Sequence, residues 1–83
     1  MAANNGVMEP FNPKNMKWDT YVERLHFYFE ANSIESENQK RAILLTVCGV
    51  PTFEVIKSIV TPLELSKVSY REIINKSRAH FSP

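Results

Sequence analysis

Residues 18–31 have the sequence WDTYVERLHFYFEA, and their apolar positions recur at the three- and four-residue spacing of one helical face. At about 100° per residue, six apolar side chains fall within roughly a third of the helix circumference. These six are Trp18, Tyr21, Val22, Leu25, Tyr28 and Phe29. The pattern predicts an amphipathic first helix from Met16 or Lys17 to Ala31, with Asn15 as its N-cap.

Two capping-box motifs mark the starts of further helices, S-x-x-Q at 36–39 and S-x-x-E at 69–72. The apolar run at 42–48 covers nearly the whole circumference of the second helix, which predicts that protein surrounds it. Gly49 follows as a C′ glycine, and a short third helix is expected from about 51 to 60. Strand is the competing assignment there, because β-branched residues are frequent.

These elements predict an all-α chain folded as a compact bundle of four short helices, with the second helix at its centre. Residues 1–13 are expected to form a flexible N-terminal arm, with Phe11 as its docking residue, and 14–83 the helical domain. In the loop before the fourth helix, Leu63 and Leu65 are expected to pack against the body. The predicted core comprises Trp18, Tyr21, Leu25, Phe29, Leu44, Leu45, Ile56, Ile73 and Phe81.

The composition sets limits on function. The chain has 83 residues and a net charge of +1, from 10 basic and 9 acidic residues, which argues against a dedicated nucleic-acid-binding domain. The single cysteine excludes an internal disulfide. No apolar run approaches the roughly 20 residues of a membrane span, and no signal peptide is visible, so we expect no membrane partner and a reducing intracellular location.

Candidates for catalysis and metal binding are few. His26 and His80 lie far apart in sequence, and Cys48 lies at a helix C-terminus, where the helix dipole disfavours a thiolate. We therefore predict no enzymatic activity, no cofactor and no metal site. Residues 67–83 carry a local charge of about +3, which we interpret as a solvated helix face that does not bind nucleic acid directly.

Phe27 is the exception to the inward aromatic pattern, because it lies about 180° from Trp18 on the outer side of the first helix. A lone exposed aromatic residue is ordinary on protein surfaces. An aromatic side chain ringed by charges is, however, also typical of an interface anchor. We therefore predict an assembly interface formed by Thr20, Glu23, Arg24, Phe27 and Glu30, next to Ala31.

A family resemblance extends over most of the chain. The pattern W-x2-Y-x2-RL-x2-YF-x-AN-x-I at 18–34 resembles the first helix of the Gag capsid N-terminal domain of gypsy-type (Metaviridae) long-terminal-repeat retrotransposons. The stretch KRA-x-LL-x2-CG at 40–49 resembles the second helix of that family. Its third helix and the following loop resemble FE-x-I at 53–56 with Pro62, and its fourth helix resembles SY-x-EI at 69–73 with HF-x-P at 80–83. Phe27 and Cys48 depart from the family, which has a polar and a small or apolar residue there.

The resemblance implies a structural domain whose copies pack in rings and build virus-like particles in the cytoplasm. Its partners would be other copies of itself, associating weakly in isolation, and neither nucleic-acid binding nor catalysis is implied. One alternative is a domesticated Gag-like adaptor that binds a short peptide or a protein in a groove lined by the first and second helices. Another is an unrelated helical interaction domain of the death-fold or SCAN type.

Overall fold

The computed structural model describes residues 8–82, which form four α-helices and one short 3₁₀ turn at Leu65–Lys67, without any strand in that range. The all-α prediction is therefore confirmed, and the strand alternative for the third element is wrong. The helices are α1 (Trp18–Ala31), α2 (Glu37–Val47), α3 (Val50–Val60) and α4 (Tyr70–Phe81).

The predicted N-cap serines of both capping-box motifs are confirmed by hydrogen bonds at the helix starts. Ser36 Oγ accepts a bond of 3.3 Å from the third backbone amide of α2, and Ser69 Oγ accepts one of 3.1 Å in α4. The N-cap prediction for α1 is wrong, because Lys17 occupies that position instead of Asn15 and makes no side-chain capping bond. α1 ends at Ala31, and Ser33, two residues beyond it, has a left-handed backbone conformation with φ 57°.

The central helix is α4, which packs against α1, α2 and α3. The prediction that α2 is central is wrong, since Leu44 is the buried residue within it. Ile43 and Leu45 are only partly buried against the core, although Leu45 was a predicted core residue. An apolar run points in all directions around a helix, but the neighbours of α2 cover one side of it.

The core contains most of the residues predicted from the helical stripes. Phe81 is only partly buried, because it lies in the last turn of α4, although its ring stacks on that of Trp18 at 5.2 Å between centroids. The indole Nε1–H of Trp18 donates to the Ile74 carbonyl at 3.2 Å, which ties α1 to α4. The predicted core residues that are buried are Trp18, Tyr21, Leu25, Phe29, Leu44, Ile56 and Ile73.

The N-terminal segment, residues 8–15, packs onto the bundle. Met8 and Phe11 are buried, and the Phe11 ring meets that of Trp18 edge-on at 5.0 Å between centroids. The Phe11 amide donates to the Cys48 carbonyl at 3.1 Å, and the Thr52 hydroxyl donates to the Phe11 carbonyl at 3.3 Å. The docking of Phe11 is thus confirmed, while the part of the predicted arm before Met8 lies outside the described residues.

Gly49 forms the joint between α2 and α3, as the sequence predicts. Its φ of 92° lies in the region that side chains disfavour, and a Cβ at this position would lie 2.9 Å from Pro10 Cβ. The N-terminal segment can therefore approach the joint closely because residue 49 has no side chain. α3 begins at Val50, one residue before the predicted start.

The connection between α3 and α4 starts with a cis peptide bond between Thr61 and Pro62. The Leu63 amide donates to the Val60 carbonyl at 2.9 Å, and this tight turn leaves the Leu63 side chain exposed. The prediction that Leu63 packs on the body is wrong. Leu65 does pack against the core, in the 3₁₀ turn.

Candidate assembly surface

The predicted interface residues share the outer face of α1 and are all exposed. Phe27 is at the centre of this face, with 64% of its surface exposed. Of the phenylalanines, tyrosines and tryptophan in residues 8–82, Phe27 is the one that is exposed. We call this surface the α1 outer face, and its members are Thr20, Glu23, Arg24, Phe27 and Glu30.

The charges around Phe27 leave an acidic excess. The Arg24 guanidinium forms an ion pair with the Glu9 carboxylate, and the Tyr21 hydroxyl holds the backbone of Glu9 by donating to its carbonyl at 2.9 Å. Glu23 and Glu30 have no ion-pair partner within residues 8–82. Sequence patterns did not indicate the Arg24 pair, because its partner lies 15 residues away on the N-terminal segment.

The basic stretch at the end of the chain is partly neutralised by ion pairs. Arg78 Nε donates to Asp19 Oδ1 at 2.8 Å, and Lys76 Nζ lies 3.8 Å from Glu72 Oε2, as the four-residue spacing predicts. Exposed pairs of this kind contribute about 0–1 kcal/mol each. The absence of direct nucleic-acid binding stays a prediction.

A second surface is formed where the N-terminal segment meets the α2–α3 joint and the end of α4. This corner cleft has a volume of about 390 Å³, and Lys14 is the one charged residue among those lining it. Sequence patterns do not indicate this cleft, because its walls come from separate parts of the chain that only the fold brings together. Its apolar lining includes Pro10, Pro13, Pro51, Val55 and Phe81.

A shallower groove of about 260 Å³ runs between α1 and α2. Tyr28 contributes the α1 side, and four residues of α2 contribute the other side. This is the location at which the adaptor alternative expects a peptide groove. The α2 residues are Ala42, Ile43, Thr46 and Val47.

A small polar cleft of about 200 Å³ lies between α1, α2 and α4. In it His26 Nε2 lies 2.9 Å from the Tyr70 hydroxyl, and Glu37 and Lys40 come from α2. Burial, followed by the nearby Lys40 ammonium, lowers the pKa of His26, while Glu37 acts in the opposite direction. Burial also raises the pKa of Tyr70, so this hydroxyl is protonated at neutral pH.

Cys48 is buried, and burial raises the pKa of its thiol to about 11. It is therefore a protonated core side chain at neutral pH. Between residues 8 and 82, no group of three or more His, Cys, Asp or Glu residues could hold a metal ion. Within the same range, none of the helices has the length and apolar character needed to cross a bilayer.

Comparison with known proteins gives no match: no family model, curated protein or solved structure matches this chain. The Gag resemblance therefore rests on the sequence motifs between residues 18 and 83.

Proposed function

We propose that this chain is a non-enzymatic structural domain that associates weakly with copies of itself, as a capsid N-terminal domain of the Gag type does. In this proposal it builds virus-like particles of a retrotransposon in the cytoplasm. The observation that carries the proposal is the exposed phenyl ring of Phe27 among the charges of the α1 outer face. The sequence resemblance over residues 18–83 supports the same function.

The size of the exposed apolar surface favours a weak contact. Burying one large apolar side chain contributes about 1.5–3 kcal/mol, whereas association costs an estimated 4–15 kcal/mol in lost translational and rotational freedom. One such contact does not hold two molecules together at micromolar concentration. Many copies linked in one lattice add their contacts, so weak pairwise binding is compatible with a stable particle.

Sedimentation equilibrium of the wild-type chain and of Phe27→Glu tests this proposal. We expect the average mass of the wild type to rise with concentration and that of Phe27→Glu to remain monomeric. Leu63→Glu is the matched control, because it places the same charge on another exposed apolar residue. Far-UV circular dichroism verifies that each variant is folded.

A Phe27→Glu variant that associates like the wild type would contradict the proposal. A tight, closed wild-type dimer at micromolar concentration would do the same, because a lattice needs contacts that continue from copy to copy. Negative-stain electron microscopy of concentrated wild-type samples adds a direct search for rings or shells.

The second candidate function is an adaptor that binds a short peptide, and the groove between α1 and α2 favours it. Selection from a random peptide library, with Ile43→Glu as the counter-selected protein, tests this candidate. An adaptor would select peptides that bind the wild type and Phe27→Glu equally well but not Ile43→Glu. Enrichment without dependence on Ile43 would argue against the adaptor function.

A further inference from the structure

We propose that the Phe27 side chain of one copy inserts into the corner cleft of the next copy. This inference rests on the proposed self-association and names the surface that receives Phe27. The contact joins the α1 outer face of one molecule to the N-terminal segment, the α2–α3 joint and the end of α4 of its neighbour.

The sizes and chemistry of the two surfaces agree. At about 390 Å³ the corner cleft falls within the range of about 300–1,000 Å³ that is typical of pockets for small organic groups. A phenyl ring is smaller than most such ligands and fits this volume. The cleft presents proline rings, Val55 and the half-buried ring of Phe81 to it, and aromatic edges and faces pack well against one another. Phe27 is the exposed aromatic side chain available for this role.

The charges are complementary as well. Lys14 is the charged residue of the cleft lining, and its ammonium has no ion-pair partner within the described chain. Glu23 and Glu30, one helical turn to either side of Phe27, are similarly unpaired there. Opposite charges at the rim of an apolar contact mainly orient the partners and speed their encounter.

The two surfaces have no residue in common, so the contact is head-to-tail. Each molecule that has inserted its Phe27 still has an empty cleft, and the neighbour still has a free phenyl ring. Association therefore continues to a ring or a chain and does not stop at a dimer. One side chain and its rim bury far less than the roughly 1,200 Å² of a stable interface, which agrees with weak binding.

A complementation experiment tests this arrangement. Phe27→Ala keeps the cleft and lacks the ring, while Val55→Glu keeps the ring and carries a charge in the cleft. In sedimentation equilibrium each variant alone is expected to lose at least about tenfold in association constant. An equimolar mixture is expected to regain one wild-type contact and to stop at a one-to-one complex.

Nuclear magnetic resonance locates the contact. When ¹⁵N-labelled Phe27→Ala is titrated with unlabelled Val55→Glu, we expect chemical-shift changes at Gly49, Val55 and Phe81. With the labels exchanged, the changes are expected at residues 20–30. Changes centred on the groove between α1 and α2 would overturn the assignment of the cleft.

A charge exchange provides a test that does not depend on Val55. Lys14 is exposed, so Lys14→Glu is expected to fold normally. It should weaken binding to a Phe27-bearing partner several-fold, and Glu23→Lys in that partner should restore the binding. If Val55→Glu does not fold, this exchange decides the proposal, and failure of the restoration overturns it.

The outcomes separate the two proposals. A dissociation constant of about 1 mM corresponds to a binding free energy of about 4 kcal/mol. A wild-type chain that stays monomeric up to that concentration contradicts both proposals. If the wild type associates, Phe27→Ala abolishes association, and the mixture of folded variants stays monomeric, the corner cleft is wrong as the receiving surface. The function proposed for Phe27 is then retained.

Discussion

α2 and α4 have similar lengths and the same kind of N-terminal cap, but their roles in the core differ. α2 carries the most continuous apolar run of the chain and buries Leu44, whereas the more polar α4 buries Tyr70, Ile73, Ile74 and Ser77. α4 contacts all three other helices with this narrow stripe. In this bundle the match between the apolar stripe of a helix and its neighbours, more than the apolar content of the helix, decides burial.

Truncating one isoleucine in each helix gives the largest expected effect. Ile73→Ala should lower the free energy of unfolding by about 2–5 kcal/mol, because Ile73 is fully buried. Ile43→Ala should cost less than about 1.5 kcal/mol, since its half-buried side chain already contacts water. Urea unfolding followed by circular dichroism measures both changes.

A bundle of this size has about 3–5 kcal/mol of stability in total, so Ile73→Ala is expected to lie near the limit of folding. The smaller truncations Ile73→Val and Ile43→Val allow both helices to be measured in folded protein. Ile73→Val should lower the free energy of unfolding by about 0.5–1.5 kcal/mol. Equal losses in the two helices would contradict the central position of α4.

Removing the N-cap side chain of each helix should have a smaller effect on stability. Ser69→Ala should cost about 1 kcal/mol of global stability, because the start of α4 is tied to the whole core. Ser36→Ala removes the same kind of bond but should act mainly by local fraying of the exposed first turn of α2. Amide hydrogen exchange distinguishes the two cases. A larger loss of global stability from Ser36→Ala than from Ser69→Ala would contradict the central position of α4.

For a substitution of Ser77 in α4 we expect the opposite effect, a gain in stability. Its buried Oγ has no hydrogen-bond partner in the described part of the chain, so Ser77→Ala should raise stability by up to about 1 kcal/mol. In α2, the exposed Thr46 hydroxyl donates to the Ala42 carbonyl at 2.7 Å, and Thr46→Ala should stay within about 0.5 kcal/mol of the wild type. Thermal unfolding measures both. Destabilisation by Ser77→Ala would mean that the hydroxyl has a partner.

The smallest expected effect is a pH dependence where α1 meets α2 and α4. The folded chain lowers the pKa of His26 from its usual 6.5, so the unfolded chain binds this proton more readily. Stability should therefore fall as the pH drops through about 6.5 and level off below the folded pKa. Urea midpoints at pH 7.5 and 5.0 should differ more in the wild type than in His26→Gln. Equal differences would exclude a contribution from His26.

Local sequence signals predicted much of the fold. The caps at Ser36 and Ser69 and the glycine at 49 depend on bonds and dihedral angles within a few residues, and they were predicted correctly. Which helix is central, and how exposed Leu63 and Leu45 are, depend on which neighbours cover each side chain. Those are tertiary properties that composition does not encode.

The candidate surfaces also combine local features, which the sequence predicts, with tertiary features, which it does not. The outward position of Phe27 follows from helical geometry alone, so it was predictable. The ion pair between Arg24 and Glu9, and the corner cleft, bring together residues from distant parts of the sequence. Periodicity within one helix contains no information on such contacts.

The packing of the N-terminal segment on Trp18 has a practical consequence. Trp18 is the single tryptophan of the chain, it is 1% exposed, and its ring contacts Phe11 of that segment. Detachment of the segment would admit water to the indole and move its emission to longer wavelength. The protein thus contains a natural fluorophore beside a wall of the cleft, and its fluorescence would report a detachment of that wall without any attached dye.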